Sequence, residues 1–213
     1  MNTHTRRLVL TAVFAALIIL FGLTPIGMIN LGFIYVTILC VPVIIGTLLL
    51  GLPTGLILSS CFASVSFFVA MTRPSALAAP IVSASVPAML ALCFLPRLLI
   101  PLVVYYVHLA LSRTKFGMRP GAENAKSGTT GHLSLSHVRL GNSKAVAITA
   151  IAGSMTNTIC YLGLMLILYH ALKLDATAII GYITVTATVA GLSEASVAAI
   201  ISAPVVLALH RIR

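Results

Sequence analysis

Between Lys144 and Lys173 the chain carries no charged residue, yet its apolar run from 145 to 169 is broken near the middle by Gly153-Ser154-Met155-Thr156-Asn157-Thr158. A helix of that length crosses a bilayer, so Asn157 falls where an amide has no water to turn to. Ser154, Asn157 and Tyr161 stand at i, i+3 and i+7. One helix face therefore carries a hydroxyl, an amide and a phenol, the inner wall expected of a binding site. The same groups also serve as hydrogen-bonding glue between membrane helices, and spacing alone leaves both readings open.

The rest of the chain fits a membrane setting. It is 60% hydrophobic and 8% charged, whereas soluble domains carry roughly 25% charged residues. One membrane domain spanning residues 1–213 is expected, multi-pass and in the cell membrane. The net charge of +10 belongs to residues that flank apolar spans or lie in one linker, so it reads as a topology signal rather than a nucleic-acid surface. Cys40, Cys61, Cys93 and Cys160 lie in apolar surroundings without metal or redox spacing, which predicts free, buried thiols and no metal site. Arg6-Arg7 before an apolar run resembles a signal peptide, but no small-residue cleavage site follows, so an uncleaved first span is expected.

The first span covers about residues 8–23 and leads into a turn-rich loop, 24–32, apolar enough to fold back onto the protein. Asn30 in that loop joins the candidate binding residues. A second span is expected over 34–50, bent at Pro42, and a third over 54–71. Residues 72–95 are apolar but hold Pro74, Pro80 and Pro87. If they do not cross, ten Lys and Arg are cytoplasmic and three are outside; if they do, the ratio becomes four to nine. The positive-inside rule selects the first alternative, an all-α bundle of six transmembrane helices with both termini cytoplasmic and 72–95 as an outer loop or re-entrant cap. The fourth span is then 96–111. A polar stretch, 113–143, reads as a flexible cytoplasmic linker able to touch anionic lipid. The sixth span, 179–209, is long and has Thr184, Thr186, Thr188, Ser193 and Glu194 in its middle.

Arg97 and Glu194 are the strongly ionisable side chains within these spans, each costing a few kcal/mol if it faced lipid. Counted from the inner span ends at about 1.5 Å per residue, Arg97, Asn157 and Glu194 lie roughly 21, 18 and 22 Å deep. A cation, an amide and an anion on three helices thus reach one level. A buried Arg97–Glu194 salt bridge is the alternative reading. Neither Ser154 nor His170 or His210 has the partners that a nucleophile and base require, and the chain lacks a phosphate-binding GxxxxGK[ST] sequence. No catalytic residue is identified, and no cofactor.

The runs Leu31-Gly32-Phe33-Ile34-Tyr35-Val36-Thr37-Ile38, Val41-Pro42-Val43-Ile44-Ile45-Gly46 and Leu50-Gly51 resemble the loop and second helix of the substrate-binding S components of energy-coupling factor (ECF) vitamin transporters. Leu95-Pro96-Arg97, Thr156-Asn157-Thr158 and Glu194-Ala195 with Ala203-Pro204 resemble the fourth to sixth helices of the pantothenate-type members. The resemblance implies a six-helix bundle that captures a vitamin outside and is driven by two ATPase subunits through a transmembrane coupling subunit. It also implies docking of that subunit through Ala12 and Ala16, a small-xxx-small pair. The polar 113–143 segment is longer than that pattern. A flavin such as riboflavin would favour flat aromatic partners, but the chain has no Trp, six Tyr and eight Phe. Pantothenate suits Arg97 for its carboxylate, gripped by a bidentate fork, with Asn157, Tyr161 and Glu194 for its amide and hydroxyls. Folate or another vitamin, and a ligand-free structural subunit, are the alternatives.

Overall fold

The computed structural model describes residues 3–24, 28–30, 35–113, 143–174 and 177–211. Seven helices occur there: α1 (Thr3–Leu23), α2 (Cys40–Leu50), α3 (Leu52–Thr72), α4 (Ala79–Ala84), α5 (Val86–Arg113), α6 (Ser143–Ala171) and α7 (Thr177–Arg211). Two three-residue strands, β1 (Met28–Asn30) and β2 (Tyr35–Thr37), pair antiparallel with Asn30 opposite Tyr35. Among the described residues α1, α3, α5 and α6 are long and apolar enough to cross a membrane.

The expectations for the second span, for Pro42, for the start of the fourth span and for the prolines of 72–95 are corrected. The expected second span from 34 is helical only from Cys40, because Tyr35-Val36-Thr37, aromatic and β-branched, pairs with β1 instead. Apart from that hairpin the described fold is helical, as expected. At about 16 Å, α2 falls short of the hydrocarbon core. Pro42 does not bend it, because it sits in the first helical turn, where its missing N–H would have had no intrahelical acceptor. The fourth helix begins at Val86, not at residue 96, and runs through both Pro96 and Pro101. Pro80 and Pro87 open helices rather than marking one long loop, since proline fits the first turn. Apart from Arg113 and Ser143, which end α5 and begin α6, the 113–143 linker lies outside the described residues.

The main core is built around α2. Every α2 residue from Cys40 to Leu50 is buried. Val43, Ile44 and Leu48 cluster with Phe14 and Ile18 of α1, Leu58 and Phe62 of α3, Ile100 and Val104 of α5, Val146 of α6 and Val206 of α7. A second cluster joins Met89 and Leu92 of α5, Met165 and Tyr169 of α6, Ile81 of α4 and Leu77. The Tyr169 hydroxyl donates to the Leu77 carbonyl at 2.6 Å and fixes the turn before α4. Gly51, at φ 94°, makes the tight turn from α2 to α3 that a side chain would strain. Beside it Arg7 Nη2 donates to the Leu50 carbonyl at 2.7 Å, placing a cation on the C-terminal end of α2. All four cysteines are free; Cys40 and Cys93 are buried as expected, whereas Cys61 and Cys160 are half-buried.

Helix α6 closes in a Schellman turn, with the Leu174 N–H donating to the Tyr169 carbonyl and the Lys173 N–H to that of His170. Lys173 takes the left-handed conformation there, φ 53°, and is exposed. Because the lysine side chain crowds the backbone in that conformation, Lys173→Gly is expected to stabilise the protein by about 1 kcal/mol. Its melting temperature in detergent should rise; a fall would mean that the lysine makes a contact outweighing the backbone term.

Candidate functional site

Helix α5 supplies the cation. Arg97 is 6% exposed and lies with its guanidinium carbon 4.9 Å from the Phe62 ring centre and 5.3 Å from that of Tyr161. Rings at these distances stabilise a cation through their quadrupoles, on the order of 0.5–2 kcal/mol each. Nε donates to Ser66 Oγ at 3.1 Å, and Nη1 to the carbonyls of Cys93 at 3.0 Å and Leu92 at 3.3 Å. Nη2 makes no hydrogen bond among the described residues. The bidentate fork expected for a carboxylate is therefore not free: two of its three nitrogens already have partners, and one remains to meet an anion.

The two prolines of α5 explain these bonds. A helical residue donates its N–H to the carbonyl four residues earlier, so Pro96 leaves the Leu92 carbonyl without its helical donor and Pro101 leaves that of Arg97. Arg97 Nη1 bonds the first and Ser59 Oγ the second. Both prolines thus sit in an unbroken helix whose freed acceptors are matched by side chains, as the absence of water in a bilayer demands.

Helices α6 and α7 supply the anion. Glu194 is 7% exposed, and Thr158 Oγ1 donates to its Oε2 at 3.2 Å. The Cys40 thiol, first residue of α2, lies within electrostatic reach of Glu194 and beside Ser154. Among the described residues the hydrogen bonds of the Arg97 guanidinium go to Ser66, Cys93 and Leu92, none of them to Glu194. Both charged groups instead lean on α6, Glu194 at Thr158 and Arg97 at Tyr161, about 4.5 Å apart along the helix axis. Asn157 directly precedes Thr158, one turn before Tyr161, and Ser154 lies one turn before Thr158. Asn157 Oδ1 and Ser154 Oγ are buried without a well-formed hydrogen bond.

The sequence-derived residues Arg97, Ser154, Asn157, Tyr161 and Glu194 thus gather around one segment of α6. Asn30 pairs with Tyr35 through the backbone, and its side chain lies outside the described residues. Of the polar middle of α7, Thr188 and Ser193 are exposed, and the side chains of Thr184 and Thr186 lie outside the described residues. Sequence reasoning missed Ser59, Phe62 and Ser66 on α3. Their i, i+3, i+7 spacing is the pattern that revealed Ser154, Asn157 and Tyr161, and it could have found them. Away from this site, Ala12 and Ala16 are exposed on α1, on a face shared with Leu8, Val9, Val13, Ile19, Leu20 and Leu23.

No curated protein matches the chain. A family model described as the ECF transporter, substrate-specific component matches residues 6–206. That match runs from the start of α1 to the last turns of α7 and takes in every element of the site, and it is on this ground that the chain belongs to the ECF transporter substrate-specific component family.

Proposed function

We propose that this chain captures pantothenate for uptake, as the subunit that sets substrate specificity in an ECF transporter. The observation that carries the reading is the pairing of a held cation, with Nη2 spare, and two buried oxygens without a well-formed hydrogen bond, Asn157 Oδ1 and Ser154 Oγ, the latter beside the Cys40 thiol. A buried polar atom is ordinarily satisfied, so these oxygens call for ligand O–H or N–H groups. Pantothenate carries a carboxylate for Arg97, and hydroxyls and an amide N–H for the oxygens of Asn157, Ser154 and Glu194. Tyr161 adds its ring to the cation. A flavin would compete for the Phe62 and Tyr161 rings that already flank the guanidinium.

On this reading the chain spans the cell membrane six times with both termini cytoplasmic, α2 and its hairpin counting as the second passage, and the 113–143 linker lies on the cytoplasmic side beside lipid. Transport energy comes from two ATPase subunits, since the sequence holds no phosphate-binding loop. Asn30, on the first strand of a hairpin whose second strand lies against α7, is read as a further ligand contact. The direct test is mass spectrometry of small molecules released when the purified protein is denatured. Recovery of pantothenate is the expected result; recovery of a different vitamin would replace the assignment, and an empty protein that binds none would favour a structural subunit.

Two substitutions probe the reading further. Arg97→Gln is expected to weaken pantothenate binding by about 2–4 kcal/mol, as when one partner of a desolvated charge pair is lost. Calorimetry at full affinity would end the carboxylate assignment. Arg97→Lys is expected to recover only part of the loss, because an ammonium keeps the charge but cannot make the three bonds that hold the guanidinium in place.

Ala12 and Ala16 are proposed to receive the coupling subunit. Their exposure shows that they do not pack inside the bundle, and small residues four apart let another helix approach closely. Replacing Ala16 with Leu should block assembly with the partner subunits and abolish uptake, while leaving ligand affinity within about twofold. Co-purification of the complete complex from that variant would remove α1 from the interface.

A further inference from the structure

Proline within a transmembrane helix usually marks a bend, yet α5 carries two, five residues apart and on either side of Arg97. Their freed carbonyls have different fates. The one released by Pro101 is the Arg97 carbonyl itself, and Ser59 bonds it, which ties α5 to α3 through the backbone. The one released by Pro96 is the Leu92 carbonyl, and the Arg97 side chain bonds it.

We propose that Pro96 is a positioning residue for Arg97: by withholding the N–H that would bond the Leu92 carbonyl, it gives that carbonyl to Nη1 and sets the guanidinium so that Nη2 meets the anionic group of the ligand. The inference rests on the reading of Arg97 as the carboxylate partner. Its geometry is independent of the ligand. Helical side chains lean toward the N-terminal turn, so Arg97 reaches back over residues 92 and 93 without an unusual path. The Pro96 ring also crowds the carbonyl four residues earlier and tilts it away from the helix axis, toward such a donor. With Nη1 on Leu92 and Cys93, Nε on Ser66, and the plane bounded by Phe62 and Tyr161, the group has little freedom left. A charged side chain fixed before the ligand arrives loses less entropy on binding, and the site gains affinity from that order rather than from an added contact.

An N–H restored at position 96 would compete for the Leu92 carbonyl and leave Nη1 with its bond to the Cys93 carbonyl alone, free to pivot about it. Pro96→Ala should therefore strengthen the helix while weakening the site, a pair of opposite effects that a purely structural proline would not produce. The experiment has two arms. In the first, apo melting temperatures are compared for the wild type, Pro96→Ala, Arg97→Gln and the double variant, with Arg97→Lys replacing Arg97→Gln if the latter cannot be purified. Loss of Arg97 should lower the melting temperature more on the wild-type background, where it strands the Leu92 carbonyl, than on the Pro96→Ala background; additive effects would overturn the proposal.

The second arm measures calorimetric affinity for pantothenate and for its alcohol analogue, in which CH2OH replaces the carboxylate. Pro96→Ala is expected to weaken pantothenate by about tenfold and to leave the alcohol nearly unchanged, the size of one misaligned charge-assisted hydrogen bond. Pro101→Ala, which restores a donor to the Arg97 carbonyl and leaves the bond between Nη1 and the Leu92 carbonyl in place, is the control and should not alter the ratio between the two compounds. An unchanged ratio in Pro96→Ala, or the same change in both proline variants, would overturn the positioning role. If the wild type binds neither compound, the pantothenate reading falls and the apo cycle still decides whether Pro96 holds Arg97.

Discussion

A guanidinium buried among membrane helices must find acceptors without help from water, and the architecture around Arg97 follows from that requirement. The group has five N–H donors and no acceptor of its own. Helical backbone is a poor source of acceptors, because its carbonyls are already bonded within the helix. Proline changes this by removing one donor and leaving the corresponding carbonyl available. Sequence, local structure and charge are then linked: Pro96 frees the Leu92 carbonyl, Arg97 Nη1 donates to it while sharing that of Cys93, Nε donates to Ser66 on α3, and the rings of Phe62 and Tyr161 lie within cation–π distance. Three helices are held together by a group that would cost several kcal/mol if it faced lipid.

This explains how much of the site was legible from the sequence. Arg97 and Glu194 stand out because ionisable residues in apolar spans are rare, and Asn157 because an amide cannot sit idle at that depth. Their gathering on α6 could be anticipated from residue counts along nearly straight helices, and the contacts at Thr158 and Tyr161 place both beside Asn157. The salt bridge between them could not be decided that way, since counting gives depth along an axis and not direction around it. Ser59 and Ser66 escaped notice for a related reason. Serine is common in membrane helices and ordinarily bonds its own backbone, as Ser60 and Ser64 do here. What sets Ser59 and Ser66 apart is the neighbour they face on α5, which no single span records.

The misread elements share a different cause. The segment 34–39 is as apolar as the helix after it, and a short apolar run does not reveal by periodicity whether it extends or coils. The prolines of 72–95 look like breakers when counted, yet Pro80 and Pro87 sit in first turns, and beyond that stretch the carbonyls freed by Pro96 and Pro101 are matched by side chains, so a proline's position relative to a donor matters more than the number of prolines.

Helix α2 is the element through which these local solutions join. It is too short to cross a bilayer and is buried over its whole length, so nearly all of its surface is helix-to-helix contact. Its first residue, Cys40, lies beside Ser154 and near Glu194, and its last carbonyl, that of Leu50, accepts from Arg7 of α1. One rigid segment of about 16 Å therefore touches the anionic side of the site at one end and the base of the exposed alanine helix at the other. Close-packed interiors do not compress, so a displacement at Cys40 has to be taken up by the neighbours of α2 rather than absorbed within it. Helix α1 has the fewest buried residues among the long apolar helices, and in lipid its outer face gains nothing from being apolar beyond what the bilayer already gives. What distinguishes that face is a pair of exposed small residues one turn apart, Ala12 and Ala16, on the helix that the Arg7 contact ties to α2.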